Sequence, residues 1–243
     1  MFFKITPKKI LLVLISMIVF LFITHIISQN IIGHYTFDPS SVKYQLLWKF
    51  NLDEERAFGT WYAQIVLFIT AAALLFIGIS KKIAKKEWAW WWIVLGFVFV
   101  YLSIDEAVSL HEMLVKPVQD YLGITTGPLF YAWIIPVFVL VFLFTLTYVK
   151  FWLNLPRKTR LLFVVAFSIF MVGAVGMEMI AASYYSVNFG GYVTAGSDQL
   201  LILIPGVEET LEMLGIAIFL YCLLDYIKTN KVSIKLSSEQ VSS

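Results

Sequence analysis

The sequence predicts an all-α polytopic membrane protein: six transmembrane helices in one bundle, with an interfacial segment in the first outer loop. Three observations predict it. Of 243 residues, 60% are hydrophobic and only 14% charged, against about 25% charged in an ordinary soluble domain. Six apolar stretches approach or exceed the roughly 20 residues that a helix needs to cross the hydrocarbon. Those stretches do not alternate polar with apolar residues, which excludes a β-barrel.

The stretches are 10–28, 60–80, 88–110, 130–149, 161–183 and 199–224. The first has the basic start and apolar core of a signal peptide, but the core is long and no small-x-small cleavage site follows, so it reads as an uncleaved anchor. Segment 29–59 is the sizeable loop. Within it, 42–58 mixes Tyr44, Leu46, Leu47, Trp48, Phe50 and Leu52 with Lys49, Asp53, Glu54, Glu55 and Arg56, the pattern of an interfacial amphipathic helix or a re-entrant segment. Residues 1–236 read as a single transmembrane domain and the Ser-rich 237–243 as a disordered tail. The single cysteine, Cys222, excludes an internal disulfide and a thiolate cluster.

Fourteen of the eighteen basic residues precede the first span or follow every second one. The positive-inside rule then places both termini in the cytoplasm. The expected location is a bacterial plasma membrane, with membrane lipid as the surrounding partner. No Gly-rich phosphate loop and no nucleic-acid signature are present. Trp88, Trp90, Trp91, Trp92, Phe151 and Trp152 read as an inner aromatic belt, and Trp48, Trp61, Tyr62, Tyr131, Trp133, Tyr184 and Tyr185 as an outer one.

Thirteen of the sixteen acidic residues then fall in the outer half. Ionisable groups inside a bilayer are costly and face a cavity, a pathway or a partner. At about 1.5 Å of rise per residue, His25 stands about 23 Å up the first helix, and Asp105 and Glu106 about 26–27 Å up the third. Glu178 stands about 26 Å up the fifth, and Glu208, Glu209 and Glu212 about 18–24 Å up the sixth. His111 and Glu112 lie above that layer. On the third helix Asp105, Ser109 and Glu112 share a face, flanked on opposite sides by Glu106 and His111, so not every residue of this run can point at one centre. Glu208 and Glu212 are stacked one turn apart, and Pro205 is expected to loosen the helix above them. Asp198 and Gly215 lie on or near that face. Gly173, Ala174, Gly176, Ala181 and Ala182 around Glu178 leave room for a helix or ligand to approach.

No Lys or Arg lies inside these segments to balance the carboxyls. A divalent ion would, and carboxylates with imidazole favour Fe, Mn or Zn. The expectation is one or two ions held among His25, Glu106, His111, Glu112, Glu178, Glu208 and Glu212, with Glu209 or Asp105 as general base. The reaction would act on a lipid or another apolar small molecule. Two rivals remain: a cation or proton relay, which would need polar groups through the inner half as well, and a non-enzymatic subunit with a structural metal or acid cluster. Protonated carboxyls that hydrogen-bond one another are the metal-free alternative at the same residues.

The string Asp105-Glu106-Ala107…Leu110-His111-Glu112 resembles uncharacterised bacterial multipass membrane proteins, as does Asp53–Tyr62 with its acidic run and Thr60-Trp61-Tyr62. The resemblance covers about a quarter of the chain and implies no activity. The Glu208-Glu209 pair resembles intramembrane CAAX-type proteases, but Met213 stands where their pattern needs Arg and their later His motifs are missing, so nothing is carried over.

Overall fold

The computed structural model describes residues 6–190 and 198–234; the tail, 237–243, lies outside them. Every regular element among the described residues is a helix, without a strand. The order is α1 Pro7–His34, α2 Val42–Trp48, α3 Phe58–Ile83, α4 Ala89–Val108, a 3₁₀ turn His111–Leu114, α5 Val115–Leu122, α6 Ile134–Leu153, α7 Arg157–Met171, a π turn Val172–Met177, α8 Glu178–Phe189 and α9 Gln199–Thr229. Six helices are long and apolar enough to cross a membrane: α1, α3, α4, α6, the continuous rod 157–189, and α9. This is an integral membrane protein of all-α, polytopic architecture.

Helix α9 is the centre of the packing, in contact with α1, α3, α7, α8 and the π turn. Glycines set its approach distances. A Cβ on Gly173 would come within 2.9 Å of the Glu208 carbonyl oxygen and 3.1 Å of the Glu212 nitrogen. One on Gly215 would lie 2.8 Å from the Phe170 nitrogen. Both neighbours are backbone and cannot swing away, so small residues are what let these helices touch. Gly173→Val is therefore expected to push the π turn off α9 and to destabilise the protein by about 1–3 kcal/mol, measured as a lower melting temperature in detergent.

The half of the bundle that holds the C-terminal end of α9 is closed by a dry core. Leu74, Ile77, Trp92, Phe151, Leu220 and Leu223 are fully buried there, with Trp92 edge-on to Phe151 at 5.1 Å. Trp92 and Phe151 are thus core residues rather than belt residues, whereas Trp90 is exposed as a belt requires. Basic helix ends gather at this end: Lys158 pairs with Asp225 at 2.6 Å and Lys82 lies over the Trp90 ring.

At the opposite end, the first loop does more than lie on the surface. After the short helix α2, the chain dips into the bundle. Leu52 is buried, and its N–H reaches Nδ1 of His25, nine residues below the end of α1. Residues 49–57 are therefore re-entrant, and α3 begins below the rim. The third span is shorter than its hydropathy suggests. Helix α4 stops at Val108, because Ser109 turns left-handed (φ 46°) and its N–H closes on the Asp105 carbonyl at 2.7 Å. That is an αL cap made by a residue other than glycine.

Candidate acidic centre

The break after Val108 decides how the Asp105–Glu112 string works. Asp105, Ser109 and Glu112 do not share a helical face, as continuation of the helix would require. Instead Asp105 folds the chain back. Its Oδ1 accepts the His111 backbone N–H at 3.0 Å, and its Oδ2 accepts His111 Nδ1–H at 2.7 Å. With both oxygens engaged by His111, Asp105 is not placed as a free general base. It orients the imidazole, and the opposite nitrogen, Nε2, is the one left for chemistry, as in carboxylate–histidine pairs generally. The ring packs edge-on against Trp133 at 4.6 Å. The Asp105 hydrogen bond and the charges of Asp105, Glu112 and Glu178 together hold the imidazole above its ordinary pKa, although burial acts the other way.

Around His111 the structure gathers most of the acids. Glu208 lies in the field of Glu178, Glu209 and Glu212, with its carboxyl within hydrogen-bonding reach of that of Glu178. Glu209 lies in the field of Glu106, Glu212, Asp53 and Glu178, and Glu212 in that of Glu106 and Glu178. Trp133 donates its Nε1–H to Glu178 Oε1 at 2.9 Å. It is 8% exposed, so it is an inward group rather than part of the outer belt. Tyr185 is buried too, and Tyr131 and Tyr185 both lie in the fields of Asp53, Glu178 and Glu208. Burial pushes the Tyr131 phenol up, which keeps it a neutral donor. The glutamates stand deep among the helices, yet each keeps part of its surface accessible.

The π turn puts Glu178 there. An extra residue in one turn, Val172–Met177, offsets α8 from α7 immediately before Glu178. Such turns are frequent at functional sites. Helix α9 supplies the other three glutamates and runs through Pro205 without ending; Pro205 removes one N–H rather than breaking the helix.

Two sequence expectations are corrected. His25 matches the acids in depth but has no lone pair to offer: Nδ1 accepts the Leu52 N–H at 3.0 Å and Nε2 donates to the Ile202 carbonyl at 2.9 Å. It is 1% exposed, and Gly206 lies so close that a Cβ there would meet its ring at 2.8 Å. His25 is a joint between α1, α9 and the re-entrant loop, not a ligand. Asp198 caps α9 by accepting the Leu200 N–H and takes the Tyr184 hydroxyl at 2.6 Å, apart from the centre.

One acid was not expected in the centre. Asp53, on the re-entrant loop, lies in the fields of Glu178 and Glu112. It is open to a small vestibule but stands deep in the protein, and burial together with those charges and Glu54 pushes its carboxyl up to about 7. The acidic run with Thr-Trp-Tyr was the only sequence signal for it.

Among the described residues the ion pairs are Asp105–His111, Lys116–Asp120 and Lys158–Asp225, so no Lys or Arg neutralises the cluster. No three His, Cys, Asp or Glu among those residues are disposed around a common metal position.

Fold and site define a class: an all-α polytopic membrane protein with a carboxylate-rich interior centre beside an oriented histidine. The chain belongs to the family described as "Domain of unknown function (DUF8692)", whose model matches residues 10–226. No curated protein and no solved structure matches the chain.

Proposed function

We propose that the protein is a membrane-embedded, metal-dependent enzyme that acts on a lipid or another apolar molecule at this centre. The observation that carries the reading is the gathering of Asp53, Glu106, Glu178, Glu208, Glu209 and Glu212 beside the Asp105–His111 pair with no Lys or Arg among them. Uncompensated buried charges shift their pKa values or take up a counter-ion, and a divalent ion removes two charges at once. His111 Nε2, Glu106, Glu178, Glu208 and Glu212 are the residues that would hold Fe, Mn or Zn. Such an ion would activate water or oxygen. Glu209 is the carboxylate suited to take the proton, and the Tyr131 hydroxyl is a donor for a developing oxyanion.

The dry core at the other end disfavours the transport reading, because a relay needs polar groups there too. The test is elemental analysis of purified protein: about one or two equivalents of Fe, Mn or Zn, cut by more than half in Glu212→Ala and in His111→Ala. Metal-free protein in both preparations, with unchanged melting on chelation, would leave the shared-proton cluster as the account of these residues.

The basic helix ends support a cytoplasmic location for both termini and an outer-leaflet position for the centre. Reporter fusions after Ile83 and after Ser233 should read as cytoplasmic, and one at Ser41 as external. An external signal at Ser233 would invert the centre's leaflet.

A further inference from the structure

Above the acidic centre lies a second site, a cavity of about 180 Å³ between α1, α2, the re-entrant loop, α8 and α9. Its lining is chemically one-sided. Asp53 and Glu54 present carboxylates. Gln29, only 9% exposed, lines the cavity, and its side-chain oxygen has no partner among the described residues. Leu201 and Pro205 line it too, and proline, lacking an N–H, leaves the Leu201 carbonyl without its helical donor. Trp48 and Tyr185 supply aromatic walls. The indole is fixed by its own N–H to Glu54 Oε2 at 2.8 Å and by stacking on Tyr44. Asn51, 8% exposed, presents an amide donor, with its oxygen already taken by the Asp53 N–H; the Gln29 amide nitrogen is turned to Ser28 Oγ at 3.5 Å. Among the described residues, no lysine or arginine lines the cavity.

Unsatisfied acceptors, carboxylates and aromatic faces in one small space suit a group with several N–H donors and a positive charge. A divalent ion would use the carboxylates and carbonyl but gain little from the aromatic walls. An apolar chain would cover the Gln29 oxygen and the Asp53 carboxylate without pairing them, which is costly. We propose that this vestibule binds the primary ammonium head of a substrate, with Asn51 donating to an oxygen close to the nitrogen, as in an ethanolamine unit. Asp53 borders both the vestibule and the centre, so a bound head is held beside Glu178 and Glu209. The catalytic sense of this site rests on the enzyme reading; the binding itself does not. The ammonium comes either from an aminophospholipid headgroup or from a soluble amine.

The test is calorimetric titration of chelator-treated full-length protein in nanodiscs, so that loss of the metal reading cannot mimic loss of this one. Ethanolamine is the probe and ethylene glycol its neutral counterpart. Ethanolamine should bind, ethylene glycol should not, and Asp53→Asn and Gln29→Leu should each weaken ethanolamine by about ten-fold or more, a change of about 1.4 kcal/mol. Melting of Asp53→Asn near wild type shows that the variant is folded. Nanodiscs of phosphatidylethanolamine that suppress ethanolamine binding, relative to phosphatidylglycerol discs, assign the head to a lipid; equal binding assigns it to a soluble amine. Absence of ethanolamine binding in phosphatidylglycerol discs, equal binding of the neutral probe, or unchanged binding in both variants overturns the proposal.

Discussion

Stripped of divalent metal, the protein is expected to melt at a lower temperature at pH 8 than at pH 5, and Mn²⁺, Fe²⁺ or Zn²⁺ is expected to reverse that order. The sign follows from groups outside the spans. Burial and the neighbouring carboxylates raise the Asp53 carboxyl to about 7, whereas an unfolded aspartate titrates near about 3.9. Between those values the native state holds a proton that the unfolded state has released. Stability is thus fully present below the unfolded pKa and falls as pH rises through the folded one. His111 acts with the same sign, since Asp105 and the nearby acids raise its pKa above the ordinary imidazole value. A metal reverses the slope because its ligands bind deprotonated, so its affinity grows with pH. At about 100 times its Kd a ligand contributes about 2.7 kcal/mol, or about 5–10 °C in a chain of this length. If the carboxyls only share protons, melting falls with pH whether or not metal is present. Melting curves at the two pH values, with chelator and with each metal, separate the two pictures.

The spans, the glutamates and Asp53 differ in how plainly the sequence marks them. The six spans were legible because bilayer thickness sets a length that apolar runs either meet or miss. The glutamates of α9 and Glu178 were legible because charge inside such a run is conspicuous. The end of α4 was not. It depends on Ser109 adopting a left-handed conformation, which non-glycine residues seldom do, and on a side chain, Asp105, that closes the turn onto His111. Without that break, helical periodicity put Glu112 on the wrong face and made Asp105 a base instead of an orienting group. Asp53 was hidden for a different reason. Hydropathy finds spans, and a loop that returns into the bundle carries no hydropathic mark of its depth. The sequence places Trp133 in a belt, because an aromatic near a span end usually lies there; only the packing shows its indole N–H turned inward to Glu178.

His25→Ala is expected to be among the most damaging substitutions, and for a reason unlike ligand loss. Rise per residue gives depth but not direction, and depth alone grouped His25 with the acids. Its ring in fact ties three segments through the neutral tautomer with Nε2–H, since Nδ1 faces an N–H donor and Nε2 faces a carbonyl. Removing it strands the Leu52 N–H and leaves the volume of an imidazole empty in a site with 1% exposure. An unsatisfied buried donor costs about 1–3 kcal/mol and a large-to-small core change adds to it, so a loss of about 3–5 kcal/mol is expected. Leu52 immediately precedes Asp53, so the loop that carries Asp53 loses its anchor and metal occupancy falls as well. His25→Gln offers one acceptor and one donor on a shorter reach, and should recover more than half of both losses. The ligand reading of His25 makes a different forecast: both variants lose metal, neither changes melting of chelated protein, and glutamine does not rescue. Melting of the chelated variants, read beside their metal content, therefore decides whether His25 holds an ion or holds the loop that completes the centre.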